Sequence, residues 1–156
     1  MLIPPADAIR EVLEGATRLG TERIAVAQAD GRVLARDLVA KTPLPRFSHS
    51  SMDGYAVRLA DLPEKQGPSG SWSLPVAGES RAGEPLEQLQ AGSCCRIFTG
   101  AQLPTGADAV IMQEDVQREG DRIHCSERPQ TGHFVRRQGE DLAAGEVALR
   151  EGLRLS

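Results

Sequence analysis

The sequence predicts a mainly β chain with one N-terminal helix, and three observations carry that reading. Glycine (16) and proline (10) make up about a sixth of the 156 residues, punctuation that favours short strands joined by turns. Only one stretch, close to the N-terminus, keeps a helical period. Hydrophobic residues reach 40% while aromatics are 3%, so a core must come from Val, Leu, Ile and Ala. A chain of this length holds one ordinary core or two small ones.

The helix is expected from about Ala6 to Thr17. Ile9, Val12, Leu13 and Ala16 fall at i, i+3, i+4 and i+7, the stripe of an amphipathic helix. Pro5 suits the first turn, Asp7 the positive end and Arg18 the negative one, and Gly20 stops it. Three turns alone are marginal in water, so the apolar stripe needs a docking surface, within the chain or outside it.

Strands follow in short runs. Ile24-Ala25-Val26 reads as one, Gln28 to Gly31 as a turn, and Arg32 to Ala40 as a longer strand. Pro43 and Pro45 break the chain, and Tyr55-Ala56-Val57 resumes it. Glu64 to Ser73, rich in Gly, Pro and Ser, reads as an exposed loop, and Leu74 to Ala77 as a strand start. Cys94 to Phe98 and Ala109 to Met112 look like buried strands, joined by the turn-rich Thr99 to Asp108. Glu119-Gly120-Asp121-Arg122 is a hairpin turn into Ile123-His124-Cys125. Val147-Ala148-Leu149 and Leu153-Arg154-Leu155 flank a turn at Glu151-Gly152. Three Ala-Gly-Glu triplets, at Ala77, Ala82 and Ala144, are unevenly spaced and read as turns, not as solenoid repeats.

Composition narrows the function. With a net charge of −4 and no basic cluster beyond the pair Arg136-Arg137, a nucleic-acid face is not expected. No apolar run approaches the roughly 20 residues that span a bilayer, and the N-terminus lacks a signal peptide's basic start. A cytoplasmic setting with no membrane partner is the expectation. Cys94, Cys95 and Cys125 form no Cys-x-x-Cys, and His49, His124 and His133 lack ligand spacing, so neither a disulfide framework nor a structural metal site is indicated.

Two segments could carry chemistry. Pro45 to Arg58 holds Phe47 and Tyr55, a run of hydroxyls including Ser50, and Asp53-Gly54. Asp-Gly is ordinary turn chemistry, but Asp53 at a strand entrance could equally hold Mg²⁺, which takes one or two protein carboxylates, or orient a nucleophile. Thr99-Gly100 is likewise either a turn or a hydroxyl and amides facing an anion. Arg136-Arg137-Gln138-Gly139-Glu140-Asp141 is either a solvated charged face or forked cations for an oxyanion beside carboxylates for its counter-cation. No nucleotide-binding glycine fingerprint is present, and no nucleophile has an evident His partner.

Three stretches in order carry a resemblance. They are Ser-Met-Asp-Gly-Tyr-Ala-Val within Pro45 to Arg58, Thr-Gly-Ala and Pro-x-Gly-Ala-Asp-Ala-Val within Ile97 to Val110, and Arg-Arg-x-Gly-Glu-Asp within Val135 to Leu142. Together with Asp30 to Ala35 and Ala77 to Pro85, they resemble the molybdopterin molybdenumtransferase family (MoeA in bacteria, the gephyrin E domain in animals). The chain resembles the first part of that pattern only; the α/β domain with its Ser-Gly-Gly motif and the small β domain lie beyond it.

The resemblance implies an elongated, discontinuous dimerisation region at residues 1–44 and 138–156, with an inserted β-rich domain at 45–137. It implies a helix packed on the absent α/β domain. It also implies the last step of molybdenum cofactor synthesis: adenylylated molybdopterin is hydrolysed with Mg²⁺ to release AMP, and molybdate enters the dithiolene. The active cleft would form in a homodimer, between this region and the partner's α/β domain, so the chain alone is expected to be inactive. Molybdopterin adenylyltransferase and other cofactor-synthesis proteins are the implied partners.

Matched motif to motif, Asp53, Asp141 and Thr99 would be catalytic, with Asp53 and Asp141 as metal ligands. Arg136, Arg137 and Ser50 would hold anionic substrate. His49 stands where Asn is common, Ser51 where Ala is common, and Gln138 where a basic residue is frequent. A non-catalytic β-rich dimerisation or binding module is the alternative, and a free-standing Mg²⁺-dependent phosphohydrolase a third reading.

Overall fold

A computed structural model describes residues 3–17, 19–62, 71–84 and 88–156. They form one α-helix and ten strands: α1 (Pro5–Glu14), β1 (Leu38–Val39), β2 (His49–Ser50), β3 (Gly54–Val57), β4 (Trp72–Ser80), β5 (Cys94–Ile97), β6 (Ala109–Met112), β7 (Gln117–Glu119), β8 (Arg122–Cys125), β9 (Val135–Arg136) and β10 (Val147–Leu149). The mainly β class with a single helix is borne out. No helix among the described residues is long and apolar enough to cross a membrane. Contacts divide the chain into two compact units, Met1–Leu38 with Leu149–Ser156, and Val39–Ala148.

In the first unit, Pro5 opens α1 and Asp7 sits in its first turn. The helix ends at Glu14, three residues short of the expectation. Gly15, a poor helix former, takes the cap position with its N–H on Glu11 C=O, so the stop comes before Gly20. Arg18 lies outside the described residues. No residue of α1 is buried; Ile9, Val12 and Leu13 are 61%, 73% and 66% exposed.

Two expected strands in this unit do not form as such. Ile24–Val26 runs into a 3₁₀ turn at Val26–Gln28, because Gln28 and Ala29 N–H groups bond back to Ala25 and Val26 C=O. Arg32 to Ala40 pairs only in part. Arg32 and Leu34 bond with Leu155 and Leu153, but the Glu151 N–H goes to the Asp37 carboxylate instead of a backbone carbonyl. The ladder is broken there, leaving a bridge at Val33 and the two-residue β1.

The second unit holds a six-stranded sheet in the order β6-β3-β5-β4-β8-β7. β3 lies between β5 and β6, antiparallel to both, so Thr99 to Asp108 crosses over β3 and is not a hairpin. Both faces of this region are covered, which is why its strands read as continuous apolar runs. Tyr55, Val57, Cys94, Ala109 and Ile111 join one core cluster, and Ala56, Cys95, Ile97 and Val110 join the other. The alternation places the adjacent Cys94 and Cys95 on opposite faces, as expected of neighbours in a strand.

β4 changes partners along its length. Trp72–Pro75 pair with β8, and Val76–Ser80 run parallel to β5 with a register irregularity between Val76 and Glu79. Gly78, at φ +90°, sits in that irregularity. The Ala77-Gly78-Glu79 triplet is therefore a bulge inside a strand and not the expected turn; the triplets at Ala82 and Ala144 are turns. The Gly120 hairpin between β7 and β8 forms as expected. Of the expected Glu64 to Ser73 loop, residues 64–70 lie outside the described residues, while Trp72 and Ser73 belong to β4. β2 and β9, which the sequence did not announce, pair antiparallel and set His49 opposite Arg136.

Candidate functional site

Asp53 ends the bend between β2 and β3, and its position is set from three sides. One oxygen, Oδ1, accepts hydrogen bonds from the Thr99 N–H at 2.8 Å and the Thr99 hydroxyl at 2.7 Å. Its backbone carbonyl accepts the Gln113 N–H at 3.0 Å. Gly54, immediately after it, has no room for a side chain, since a Cβ there would lie 1.9 Å from Ile111 O. Hydrogen bonds from the Thr99 hydroxyl and N–H hold the Asp53 carboxyl below the usual aspartate range, helped by the positive charge of Arg96. Such bonds favour the ionised form. Asp53 is thus an oriented surface carboxylate, with Oδ2 carrying no hydrogen bond from a described residue.

Arg96 was not anticipated from the sequence. Its guanidinium donates to Gly54 O at 3.0 Å and Gln113 Oε1 at 2.6 Å, and lies over the rings of Tyr55 and Phe98 at 5.2 and 4.7 Å. It therefore grips the residue after Asp53 and the residue bonded to Asp53's carbonyl. The available signal was a single charge inside an apolar run, Cys94-Cys95-Arg96-Ile97-Phe98.

Ser50 is fully buried. Its Oγ bonds to the Met52 backbone, and its carbonyl accepts the Gly100 N–H at 2.9 Å. It shapes the bend that carries Asp53 and the Thr99-Gly100 turn, and it presents no surface to a ligand in this chain. Ser51 is tied to Phe134, whose carbonyl receives both the Ser51 N–H and hydroxyl. Phe134 sits at φ +54°, a left-handed conformation uncommon for a bulky residue that aims its carbonyl at this bend.

The charged motif separates into two roles. Arg136 is satisfied within the chain, donating from Nε to Glu140 at 2.9 Å and from Nη2 to Asp141 Oδ1 at 2.6 Å. The Arg136 hydrogen bond, together with the Arg137 N–H, lowers the Glu140 pKa, and Arg136's own is raised by Glu140 first and Asp141 next. Gly139, at φ +74°, makes the turn that permits this pairing. Arg137 makes no side-chain hydrogen bond to a described residue. It lines a cavity of about 410 Å³ together with Ser48, Asp108, Thr131, Gly132 and Gln138.

Among the described residues no three His, Cys, Asp or Glu groups gather as a metal cage. Asp53 and Asp141 each spend one oxygen within the chain and keep the other. Either carboxylate taken singly has the chemistry of a Mg²⁺ ligand, since that ion commonly takes one or two protein carboxylates and completes its shell with water and phosphate oxygens.

The chain matches the family model described as the MoeA N-terminal region (domain I and II) over residues 3–156. It is 44% identical over 138 residues to a molybdopterin molybdenumtransferase of Haemophilus influenzae, covering 87% of this chain and 33% of that relative. A molybdopterin molybdenumtransferase of Synechococcus elongatus is 40% identical over 140 residues, 88% of this chain and 34% of the relative. The crystal structure of the molybdopterin biosynthesis moeA protein from Pyrococcus horikoshii OT3 superposes with a TM-score of 0.88 at 36% identity, over 100% of this chain and 41% of that one. The chain spans about a third of the length of the curated relatives it matches. With the family model matching residues 3–156 and a solved relative superposing over the whole chain, the chain belongs to the MoeA family and corresponds to its N-terminal region.

Proposed function

We propose that this chain supplies one wall of a molybdenumtransferase active site, in which adenylylated molybdopterin is hydrolysed to release AMP and molybdate is inserted into the dithiolene. The observation that carries the reading is the Asp53 carboxylate, held ionised and aimed by two hydrogen bonds from Thr99. An oriented anion at the surface can position an attacking water or the metal that neutralises a phosphoanhydride. Asp53 would hold Mg²⁺ through its unpaired oxygen, with Asp141 as the second carboxylate; the metal supplies charge neutralisation at the phosphates. Thr99 fixes the carboxylate's direction, and Arg136 fixes Asp141.

The other wall belongs to a longer protein, acting in the cytoplasm as a homodimer in which residues 1–44 and 138–156 serve dimerisation. Residues 45–137 then face a pterin-binding domain of the partner. Transition-state stabilisation needs groups from both walls, so the excised chain should not turn over. The test compares the full-length protein with residues 1–156 alone, each given adenylylated molybdopterin, molybdate and Mg²⁺, with AMP followed by chromatography. AMP release by the full-length protein and none by the chain is the expected result; no release by the full-length protein overturns the reading.

A further inference from the structure

Of the two adjacent arginines, one is spent and one is available. Arg136 is neutralised by Glu140 and Asp141. Arg137 projects onto the turn before β9, where Gly132 sits at φ +78° with its N–H on Asp108 C=O. A Cβ on Gly132 would come 3.1 Å from Arg137 Nη2, so the missing side chain leaves the guanidinium its resting place. The guanidinium lies at an exposed position beside the cavity, and with no side-chain hydrogen bond to a described residue its forked donors are open to an anionic ligand.

The cavity beside it is lined by matching donors. The Ser48 hydroxyl accepts the Gln138 N–H at 3.1 Å, which leaves its own proton to give, and Thr131 adds a second hydroxyl. Asp108 is the one carboxylate in the lining, and its Oδ1 is already taken by the Leu59 N–H at 2.9 Å. A volume of about 410 Å³ accommodates a phosphate-sized group with neighbouring atoms. Ser48 begins the segment that leads through Ser50 to Asp53, a span of at most roughly 18 Å of extended chain.

We propose that the Arg137 guanidinium and the Ser48 and Thr131 hydroxyls form an oxyanion subsite that takes a tetrahedral phosphate-type group, with Arg136 acting only as a tie for Glu140 and Asp141. This rests on the transferase reading for its physiological ligand, which is either a phosphate of the adenylylated substrate or the free molybdate ion. The subsite itself stands independently of turnover.

The test is equilibrium titration of the full-length protein and its Arg137→Gln, Arg137→Lys and Gly132→Ala variants with inorganic phosphate, AMP and molybdate. Thermal melts serve as the folding control. The expected result is wild-type binding of at least one of these oxyanions, weakened about tenfold or more in Arg137→Gln, as loss of a charge-assisted fork predicts. Arg137→Lys should recover it in part, and Gly132→Ala, which obliges the exposed Arg137 tip to shift by only a few tenths of an ångström, should change it less than Arg137→Gln does. Which oxyanion binds identifies the source. Equal binding by wild type and a folded Arg137→Gln variant, or no binding of any of the three, overturns the subsite even if the enzyme turns over. Arg137-dependent binding without AMP release from adenylylated molybdopterin would instead sink the transferase reading and leave the subsite standing.

Discussion

The hydroxyl and the backbone N–H of Thr99 converge on a single oxygen of Asp53, at 2.7 and 2.8 Å. A threonine that opens a turn thereby fixes both the direction and the charge of a carboxylate 46 residues away in sequence. The hydroxyl's share can be removed on its own. In Thr99→Ala the Asp53 pKa should rise towards the ordinary aspartate value of about 3.9 while the backbone bond persists, as read by carbon-detected NMR titration of the carboxyl. The sign of the linkage follows. A depressed folded-state pKa contributes stability above the unfolded value of about 3.9, which is lost as pH falls through the folded value. The stability gap between wild type and Thr99→Ala should therefore close on acidification; a gap that widens would contradict this.

Gly54 is required by space. A Cβ would meet Ile111 O at 1.9 Å and Ile111 C at 2.9 Å, and both are backbone atoms of the neighbouring strand β6. Gly54→Ala must separate β3 from β6, and overpacking of this kind costs about 3 kcal/mol. Urea denaturation should show that loss, with an unchanged midpoint as the opposing outcome.

Arg96 tests whether the Asp53 bend is held from behind. Arg96→Met removes the bonds to Gly54 O and Gln113 Oε1 while keeping apolar contact with Tyr55 and Phe98. In the full-length enzyme kcat should fall with little change in KM, since the change acts on the bend and not on substrate. Arg96→Lys should restore part of it. A variant that melts like wild type and keeps full kcat would remove Arg96 from any positioning role.

The three cysteines should be inert in the native state. Cys94, Cys95 and Cys125 are all buried, and burial pushes the Cys94 thiol up to about 12 and the Cys125 thiol upward as well. The thiolate is the reactive form. At pH 8 a thiol-specific chromogenic reagent should label no cysteine quickly in the folded chain and all three after unfolding. Rapid labelling of the native protein would contradict the packing described.

How much of this was legible in the sequence varies with the physics behind each feature. The strands that the sequence marks clearly, β3, β5 and β6, are those buried on both faces. There apolarity is continuous and turn residues bound it, as at Cys94 to Ile97. Ile24 to Val26 is equally apolar, yet Val26 is 92% exposed and the local turn consumes its hydrogen bonds. Gly78 reads as a turn because the partner switch within β4 is a tertiary fact. At the site, the motifs exposed Asp53, Thr99 and the arginine pair. That Arg136 is spent and Arg137 is not depended on a five-residue return turn at Gly139. Gly132 and Arg96 escaped because their roles lie in what packs against them.

The most direct check on the role given to Asp53 is AMP release from adenylylated molybdopterin by the full-length protein carrying Asp53→Asn, with molybdate and Mg²⁺ present and the fold verified by its melting curve. Asparagine keeps the shape but removes the charge that Thr99 orients. Turnover should fall by about a hundredfold or more, as expected when an acid–base or metal-orienting carboxylate is lost. Turnover within a few-fold of wild type would contradict the account.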